Sequence, residues 1–335
     1  MSLNIGGRTV AGAAGGIERA IRVEHRAVAA DEIAMAATWV DLTIAGLAQM
    51  IDEEPAPAAA KPKKKKAAPA AAVKDDPESA LIREIEADIE AGAFEMEYQP
   101  IYDRTGTDVV SAEALMRWRR GDRAPIGPAV FIPVAERSGL ITRLGTFARR
   151  RVLEAAANWD IPVAINMSPI ELDKPGFVAG VRALLDETGF DPKRLILEVT
   201  ETAFLGDPDR VRQLFNDLRA MGIKLALDDF GVGYSSLTAL HRFPFDKIKI
   251  DREFVMALDG EPRAALEALA IIQAVTGIGR AFGMQVTAEG IETTSQHSHL
   301  KAAGVHTMQG YLFGKAMPAS NFSNLIGKAP TKQRV

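Results

Sequence analysis

Residues 195–229 read LILEVTETAFLGDPDRVRQLFNDLRAMGIKLALDD, and this stretch decides the predicted fold. Its two apolar runs, Leu195–Leu197 and Lys224–Leu227, are typical of buried strands. An amphipathic helical pattern occupies Pro208–Met221 between them. Parallel strands are joined by a long crossover, usually a helix, so the stretch predicts a strand–helix–strand unit with parallel strands.

The same alternation continues on both sides of this unit. Six more candidate strands are Phe94–Gln99, Val109–Met116, Pro162–Ile165, Lys247–Ile250, Gln285–Ala288 and Thr307–Gln309. Three more candidate helices are Gly145–Asn158, Phe177–Thr188 and Ala264–Phe282. Eight strands with intervening helices over about 230 residues predict an α/β fold, a TIM-like (β/α)8 barrel. Only Pro100–Asp108 separates the first two strands, which is too short for a helical crossover, so the first strand is predicted to be antiparallel.

Two segments precede the predicted barrel, which we assign to residues 77–325. Within residues 1–52, apolar positions step by three and four between Val23 and Ile51, which predicts an N-terminal helix. A lone helix has no core of its own, so it packs on the barrel, on a sensory domain or on a second copy of the chain. We favour the second copy, and therefore a homodimer. Residues 53–76 are rich in Ala, Pro and Lys and predict a flexible linker.

The composition excludes several classes of protein. Of the 335 residues, 47% are apolar and 25% are charged, as in folded soluble domains. The formal net charge of −4 gives no basic footprint for a DNA or RNA polymer. The chain has no cysteine, which excludes disulfides, thiolate nucleophiles and cysteine-based zinc sites. No apolar run approaches a membrane span and the N-terminus lacks a secretory pattern, so we expect a cytoplasmic protein.

Polar side chains recur where the predicted strands end. They are Asn166, Glu198, Asp228, Asp229, Glu289 and Gln309, with Glu113 inside the second strand. The carboxyl ends of barrel strands meet at one face, so these groups are expected to share a small volume. One carboxylate pair at ~4 Å costs on the order of 4 kcal/mol at an effective dielectric of about 20, so the cluster requires protons or cations. The alternative interpretation is a set of ordinary strand-end residues that cap helices.

The predicted cations follow from the ligand chemistry. Oxygen ligands favour hard ions such as Mg²⁺ and Mn²⁺, and the adjacent Asp228 and Asp229 suit two of them. Lys249 is the one basic residue expected inside the cluster, where its ammonium would orient water, offset charge or act as a base. Alternatively, Lys249 lies at the rim and pairs with Asp251.

These residues lie in motifs that resemble those of EAL domains, the bacterial phosphodiesterases that act on cyclic di-GMP. The resemblance runs from about Phe94 to about Pro318. The motifs are Tyr98-Gln99-Pro100, Glu113-Ala114-Leu115-Met116-Arg117-Trp118, Asn166-Met167-Ser168, Glu198-Val199-Thr200-Glu201, Asp228-Asp229-Phe230-Gly231, Lys249-Ile250-Asp251, Ala288-Glu289-Gly290-Ile291-Glu292 and Gln309-Gly310-Tyr311. The chain departs from the family pattern at Val232, where Thr is frequent, and at Ala316, where Pro is usual.

The resemblance implies a role for each matched position. The implied metal ligands are Glu113, Asn166, Glu198, Asp228, Asp229 and Glu289, with Asp229 bridging two ions or holding the second. The implied catalytic residues are Lys249, which would position or activate the attacking water, Glu113, Asp229 and Gln309. Arg117 and Gln99 would contact the substrate. Glu201 would anchor the loop that follows Asp228.

The sequence therefore predicts a metal-dependent phosphodiesterase that hydrolyses cyclic di-GMP to linear 5′-pGpG through water activated by two Mg²⁺ or Mn²⁺ ions. The first alternative is a catalytically weak cyclic di-GMP receptor that signals through its N-terminal helix. An enolase-type barrel with a lysine base is disfavoured, because it does not explain Asp228 and Asp229 together with Asn166 and Gln309.

Overall fold

The computed structural model describes residues 77–204, 207–230 and 237–327, and within them eight strands close into a barrel. The strands are β1 (Phe94–Asp103), β2 (Val109–Trp118), β3 (Val163–Met167), β4 (Leu195–Val199), β5 (Lys224–Phe230), β6 (Lys247–Ile250), β7 (Gln285–Ala288) and β8 (Thr307–Met308). A ninth short strand, β9 (Met317–Pro318), pairs with β1 outside the closed ring. The predicted TIM-like barrel is confirmed.

Helices surround the barrel and connect its strands. They are α1 (Pro77–Glu90), α2 (Pro128–Ser138), α3 (Ile141–Ala155), α4 (Pro169–Leu172), α5 (Phe177–Thr188), α6 (Pro208–Ala220), α7 (Leu237–Arg242), α8 (Arg252–Ala257), α9 (Pro262–Phe282), α10 (Thr294–Ala303) and α11 (Ala319–Gly327). Two 3₁₀ turns cover Pro192–Arg194 and Glu201–Phe204. The predicted N-terminal helix within residues 1–52 and the linker over residues 53–76 lie outside the described residues.

The first strand runs against both of its neighbours, as predicted from the short segment after it. Gln99 of β1 lies opposite Glu113 of β2 in an antiparallel ladder. Tyr102 of β1 lies opposite Met308 of β8, also antiparallel. The neighbouring pairs from β2 to β8 are all parallel. Their carboxyl ends therefore open at one common mouth.

The two faces of each strand have different surroundings: one packs against the helices, and the other faces the barrel interior and its polar mouth. On β6, Ile248 and Ile250 belong to the main core beneath the helices, so the alternate residues Lys247 and Lys249 face the barrel interior. Ala164, Ile196 and Ala226 form a separate apolar cluster inside the barrel. The next residues on the same strand faces are Asn166, Glu198 and Asp228. An apolar layer thus underlies the polar mouth.

The strands extend further than the sequence pattern indicates. We predicted that the third, fourth and fifth strands end before Asn166, Glu198 and Asp228, but these residues lie within β3, β4 and β5. The backbone of a polar residue continues the ladder while its side chain points into the mouth, as in the Asn166–Glu198 pair. The sequence analysis also did not predict α2, which begins with Pro128 at its first position.

Helix α9 is long and apolar enough to cross a membrane by length and composition, and it is the one such helix in the described parts of the chain. Core helices of soluble proteins pass the same test. In this fold Ala268, Ile272 and Val275 of α9 are buried in the main core.

Candidate active site

Four carboxylates from four positions around the barrel converge on one ammonium group. Lys249 Nζ lies 2.7 Å from Glu198 Oε2 and 3.1 Å from Asp228 Oδ1. It also lies 2.5 Å from Glu289 Oε1 and 3.6 Å from Glu113 Oε1. The Lys249 side chain is 2% exposed. The structure therefore pairs Lys249 with the cluster, which favours the interior placement over a rim placement beside Asp251.

Two side-chain amides hold the carboxylate of Glu113, and a third amide, that of Gln99, contacts one of them. Asn166 Nδ2 donates to Glu113 Oε1 at 2.7 Å, and Gln309 Nε2 donates to Glu113 Oε2 at 2.6 Å. Gln309 Nε2 also donates to Gln99 Oε1 at 3.1 Å. Gln99 Nε2 in turn donates to the Gly314 carbonyl oxygen at 3.1 Å. Both ends of the buried Gln99 amide are thus engaged within the protein.

Burial and neighbouring charges shift the pKa values of the clustered groups. Burial raises the pKa of Glu198 to about 8, and repulsion from Glu113 and Asp228 adds to the effect of burial despite the attraction of Lys249. Burial also raises the pKa of Glu289. Burial opposes ionisation of Glu113, but Lys249 and the amide hydrogen bonds hold its pKa below the ordinary value. Burial likewise opposes charge on Lys249, yet the carboxylates raise its pKa well above the ordinary value, so this group is an ammonium.

Asp229 occupies the rim of the mouth in a strained backbone conformation. Its φ of 54° is the one positive φ among the non-glycine residues in the described part of the chain. Its backbone N–H donates to Asp228 Oδ1 at 3.1 Å. Burial raises the pKa of Asp229 to about 6, and repulsion from Asp228 and Asp251 contributes. Asp251 also caps α8, because its Oδ1 accepts from the Glu253 N–H at 2.7 Å.

Glu201 begins the 3₁₀ turn after β4 and lies near Asp229. Burial raises the pKa of Glu201 to about 7, and repulsion from Asp229 contributes. Its buried Oε1 has no hydrogen-bond partner among the described atoms. The loop that Glu201 is predicted to anchor includes residues 231–236, which lie outside the described residues. The anchoring role stays a prediction.

Arg117 lies on the same face of β2 as Glu113, four residues further along the strand. Its Nε donates to Glu97 Oε2 at 2.9 Å, and its Nη1 donates to the Met116 carbonyl oxygen at 3.2 Å. Arg119 Nη2 binds the other oxygen of Glu97 at 2.7 Å. The guanidinium of Arg117 is partly exposed, and its substrate contact stays a prediction.

The donor set fits hard divalent cations. The oxygens come from carboxylates and side-chain amides, which Mg²⁺, Mn²⁺ and Ca²⁺ prefer. One buried oxygen, Gln309 Oε1, accepts no hydrogen bond among the described atoms. Within the described residues no group of three acidic or histidine side chains is arranged as a ready cation cage. The four carboxylates instead point at the Lys249 ammonium, which lies at their centre.

The family model for the EAL domain matches residues 82–316, which include the barrel strands from β1 to β8 and every predicted site residue. The chain belongs to the EAL domain family. The family resemblance drawn from the sequence motifs is confirmed.

Two curated relatives of this EAL domain are much longer proteins. An uncharacterized protein of Sinorhizobium fredii is 42% identical over 237 residues, which are 70% of this chain and 28% of that protein. The bifunctional diguanylate cyclase/cyclic di-GMP phosphodiesterase MucR of Pseudomonas aeruginosa is 34% identical over 245 residues, which are 71% of this chain and 35% of MucR. The chain thus spans well under half the length of these curated relatives.

Solved structures share the barrel. The MucR phosphodiesterase in complex with c-di-GMP is 33% identical with a TM-score of 0.68, over 72% of this chain and 99% of that chain. BlrP1 of Klebsiella pneumoniae, solved as a calcium and cyclic di-GMP complex, is 30% identical with a TM-score of 0.59, over 67% of this chain and 56% of that chain.

The structure brings most of the predicted site residues of the EAL domain together. Seven of them share direct contacts: Glu113, Asn166, Glu198, Asp228, Lys249, Glu289 and Gln309. Gln99 joins them through Gln309. The sequence analysis did not predict the position of Asp251 beside Asp229. The one signal in the sequence was that Asp251 belongs to the Lys249-Ile250-Asp251 motif.

Proposed function

We propose that this EAL domain is a metal-dependent phosphodiesterase that hydrolyses cyclic di-GMP to linear 5′-pGpG. One observation carries the proposal: four carboxylates and one lysine, each in or directly after a separate strand, meet at the barrel mouth. Family membership and the c-di-GMP complex of MucR support the choice of substrate. The proposed reaction joins water to one phosphorus and breaks the bond from that phosphorus to the 3′-oxygen.

Divalent cations, Mg²⁺ or Mn²⁺, fit the proposed site. The proposed ligands are Glu113, Asn166, Glu198, Asp228, Asp229 and Glu289. When bound, such ions polarise the phosphoryl oxygen, acidify water and stabilise the leaving oxygen. The calcium and cyclic di-GMP complex of BlrP1 supports the binding of divalent ions at this site.

The chain's own groups have distinct proposed tasks. Lys249 Nζ lies 2.7 Å from Glu198 Oε2 and 3.1 Å from Asp228 Oδ1, two of the proposed ligands, so it is placed to position or activate the attacking water. Gln309 holds Glu113 through Nε2 and keeps Oε1 free to accept from water. Arg117 offers a forked cation for a phosphate, provided that it leaves Glu97.

Three further proposals concern the surroundings of the site. Glu201 anchors the loop after β5. The chain forms a homodimer through residues 1–52, and it acts in the cytoplasm. Deletion of residues 1–75 tests the dimer: loss of the dimer by light scattering supports it, and an unchanged oligomeric state contradicts it.

Incubation of the protein with cyclic di-GMP and Mn²⁺, followed by chromatography of the nucleotides, tests the proposed activity. We expect linear pGpG to accumulate and EDTA to stop its formation. Tight binding of cyclic di-GMP without any pGpG would contradict the enzyme and favour the receptor.

A further inference from the structure

A buried ion pair connects the turn that follows Asn166 to helix α3. Arg149 of α3 places Nη1 2.7 Å from Glu171 Oε1 of α4. The two side chains are 8% and 3% exposed. Such pairs lose much hydration free energy on burial, and well-packed apolar residues are often equally stable in their place. Stability alone therefore explains this pair poorly.

The pair contacts both residues that come directly after Asn166. Glu171 Oε2 accepts from the Ser168 backbone N–H at 3.4 Å, and Ser168 Oγ accepts from the Ile170 N–H at 3.2 Å. Together these bonds form a capping box that begins α4. Arg149 Nη1 also lies 3.7 Å from Met167 Sδ. The turn from residue 167 to residue 171 is thereby linked to α3 through the side chains of Met167 and Glu171.

Packing leaves the Glu171 carboxylate little room to move. A Cβ on Gly145 would lie 1.8 Å from Glu171 Oε1, so only glycine fits at that position of α3. The Arg149 guanidinium lies 5.2 Å from the centre of the Phe177 ring and donates to Thr146 Oγ1 at 3.3 Å. The ion pair thus has one defined geometry.

Asn166 directly precedes this supported turn. Its side chain lies exposed at the mouth, and its amide donates to Glu113 Oε1 at 2.7 Å. An exposed side chain without packing around it takes its direction from the backbone that carries it. The contacts of Arg149 and Glu171 stabilise that backbone immediately after Asn166.

We propose that Arg149 and Glu171 are positioning residues for Asn166, which hold its amide on Glu113 and at the proposed cation site. This inference rests on the proposed function. Partners that orient metal ligands from behind typically contribute 10–100-fold to metal affinity or activity. A purely structural ion pair would change thermal stability and leave cation affinity unchanged.

The test compares Arg149→Met, Arg149→Lys and Glu171→Gln with wild type. Val211→Ala is the control, because it removes a buried contact on α6 and lowers stability while leaving Arg149 and Glu171 in place. Mn²⁺ affinity is measured by electron paramagnetic resonance of free Mn²⁺, and kcat is measured as a function of Mn²⁺. Hydrogen exchange of residues 163–172 reports the turn independently of activity.

We expect Arg149→Met and Glu171→Gln to weaken Mn²⁺ binding about tenfold, with kcat near wild type at saturating Mn²⁺. Exchange should accelerate in residues 163–172 more than elsewhere, and Arg149→Lys should restore part of the affinity. If Arg149→Met does not fold, the Mn²⁺ affinity of the nearly isosteric Glu171→Gln tests the positioning role instead. Mn²⁺ affinity equal to that of Val211→Ala would overturn the positioning role. Wild-type protein that binds no Mn²⁺ would instead contradict the proposed function.

Discussion

Lys249 Nζ lies 2.7 Å from Glu198 Oε2, and this contact shows how a crowded acidic mouth is held together. The same ammonium also faces Asp228, Glu289 and Glu113. One positive charge does not balance four carboxylates. Burial therefore raises the pKa of Glu198 to about 8, and repulsion from the neighbouring carboxylates adds to this rise. The carboxylates carry more negative charge than one ammonium neutralises, and divalent cations bound at the mouth would neutralise the remainder.

Glu113→Gln should abolish most of the turnover, because it removes a charge that two amides and Lys249 hold at the centre of the site. We expect kcat to fall by about 10²–10³-fold, the range for loss of one charge-stabilising group. Pre-steady-state and steady-state formation of pGpG measure the effect. The control is Glu253→Gln, which removes an exposed carboxylate on α8. Equal rates for Glu113→Gln and the control would rule out the assigned role.

Lys249→Met should destabilise the protein when divalent ions are absent. Removal of one partner from a buried ion pair costs about 3–5 kcal/mol, because the remaining charge stays buried and unpaired. Thermal unfolding in EDTA should therefore show a lower Tm, and Mn²⁺ should raise the Tm of the variant more than that of wild type.

Lys247→Met is the matched control on the same strand. Burial lowers the pKa of Lys247 to about 8, and no carboxylate of the described residues forms a salt bridge with it. We expect the control to retain both its Tm and its turnover. An Mn²⁺ response of Lys249→Met no larger than that of Lys247→Met would count against a shared cation position.

Glu201 should make stability depend on pH. Its carboxyl pKa rises from 4.5 to about 7 on folding, through burial and through repulsion from Asp229. The folded state therefore favours the neutral form, so this stabilisation is complete below about pH 4.5 and is lost as pH rises through 7. Glu201→Gln is neutral at every pH. In EDTA, the Tm of the variant minus that of wild type should grow between these values and then level off.

A Tm difference that stays constant across that pH range would show that Glu201 titrates normally in the folded protein. Glu253→Gln again serves as the control, because it removes an exposed carboxylate on α8.

Gln99→Leu should lower kcat more than it raises KM. Gln99 accepts from Gln309 and donates to the Gly314 carbonyl, so its loss releases Gln309 from one of its two acceptors. We expect about a tenfold loss of kcat, as for other residues that orient an active-site ligand from behind. Steady-state kinetics separate the two parameters. A rise in KM alone would indicate that Gln99 contacts the substrate, as the family resemblance implies.

Much of the barrel could be predicted from the sequence, because buried parallel strands are short apolar runs and the helices between them are amphipathic. The antiparallel first strand followed from the nine residues of Pro100–Asp108. The two-residue β9 carries no such pattern, since its pairing with Glu97 and Tyr98 depends on tertiary contacts. Strand ends were misplaced at Asn166, Glu198 and Asp228, because polar side chains that face a barrel mouth resemble loop residues.

The acidic site could be predicted because strand order brings its members to one end of the barrel. The contacts that support the acidic site could not be predicted in this way. Arg149 and Glu171 are separated by 22 positions, and each resembles a surface residue of an amphipathic helix. Likewise, Gln99 and Gln309 are 210 positions apart, and only the antiparallel placement of β1 brings them into contact. Such pairs depend on three-dimensional packing rather than on local periodicity.

Crystals of the protein soaked in Mn²⁺ and measured at the manganese absorption edge test the central claim most directly. The account predicts anomalous peaks at the barrel mouth within about 2.6 Å of oxygens of Glu113, Glu198, Asp228 and Glu289, with the Lys249 ammonium displaced from their centre. Full-occupancy manganese bound elsewhere, with all four carboxylates still on Lys249, would contradict it.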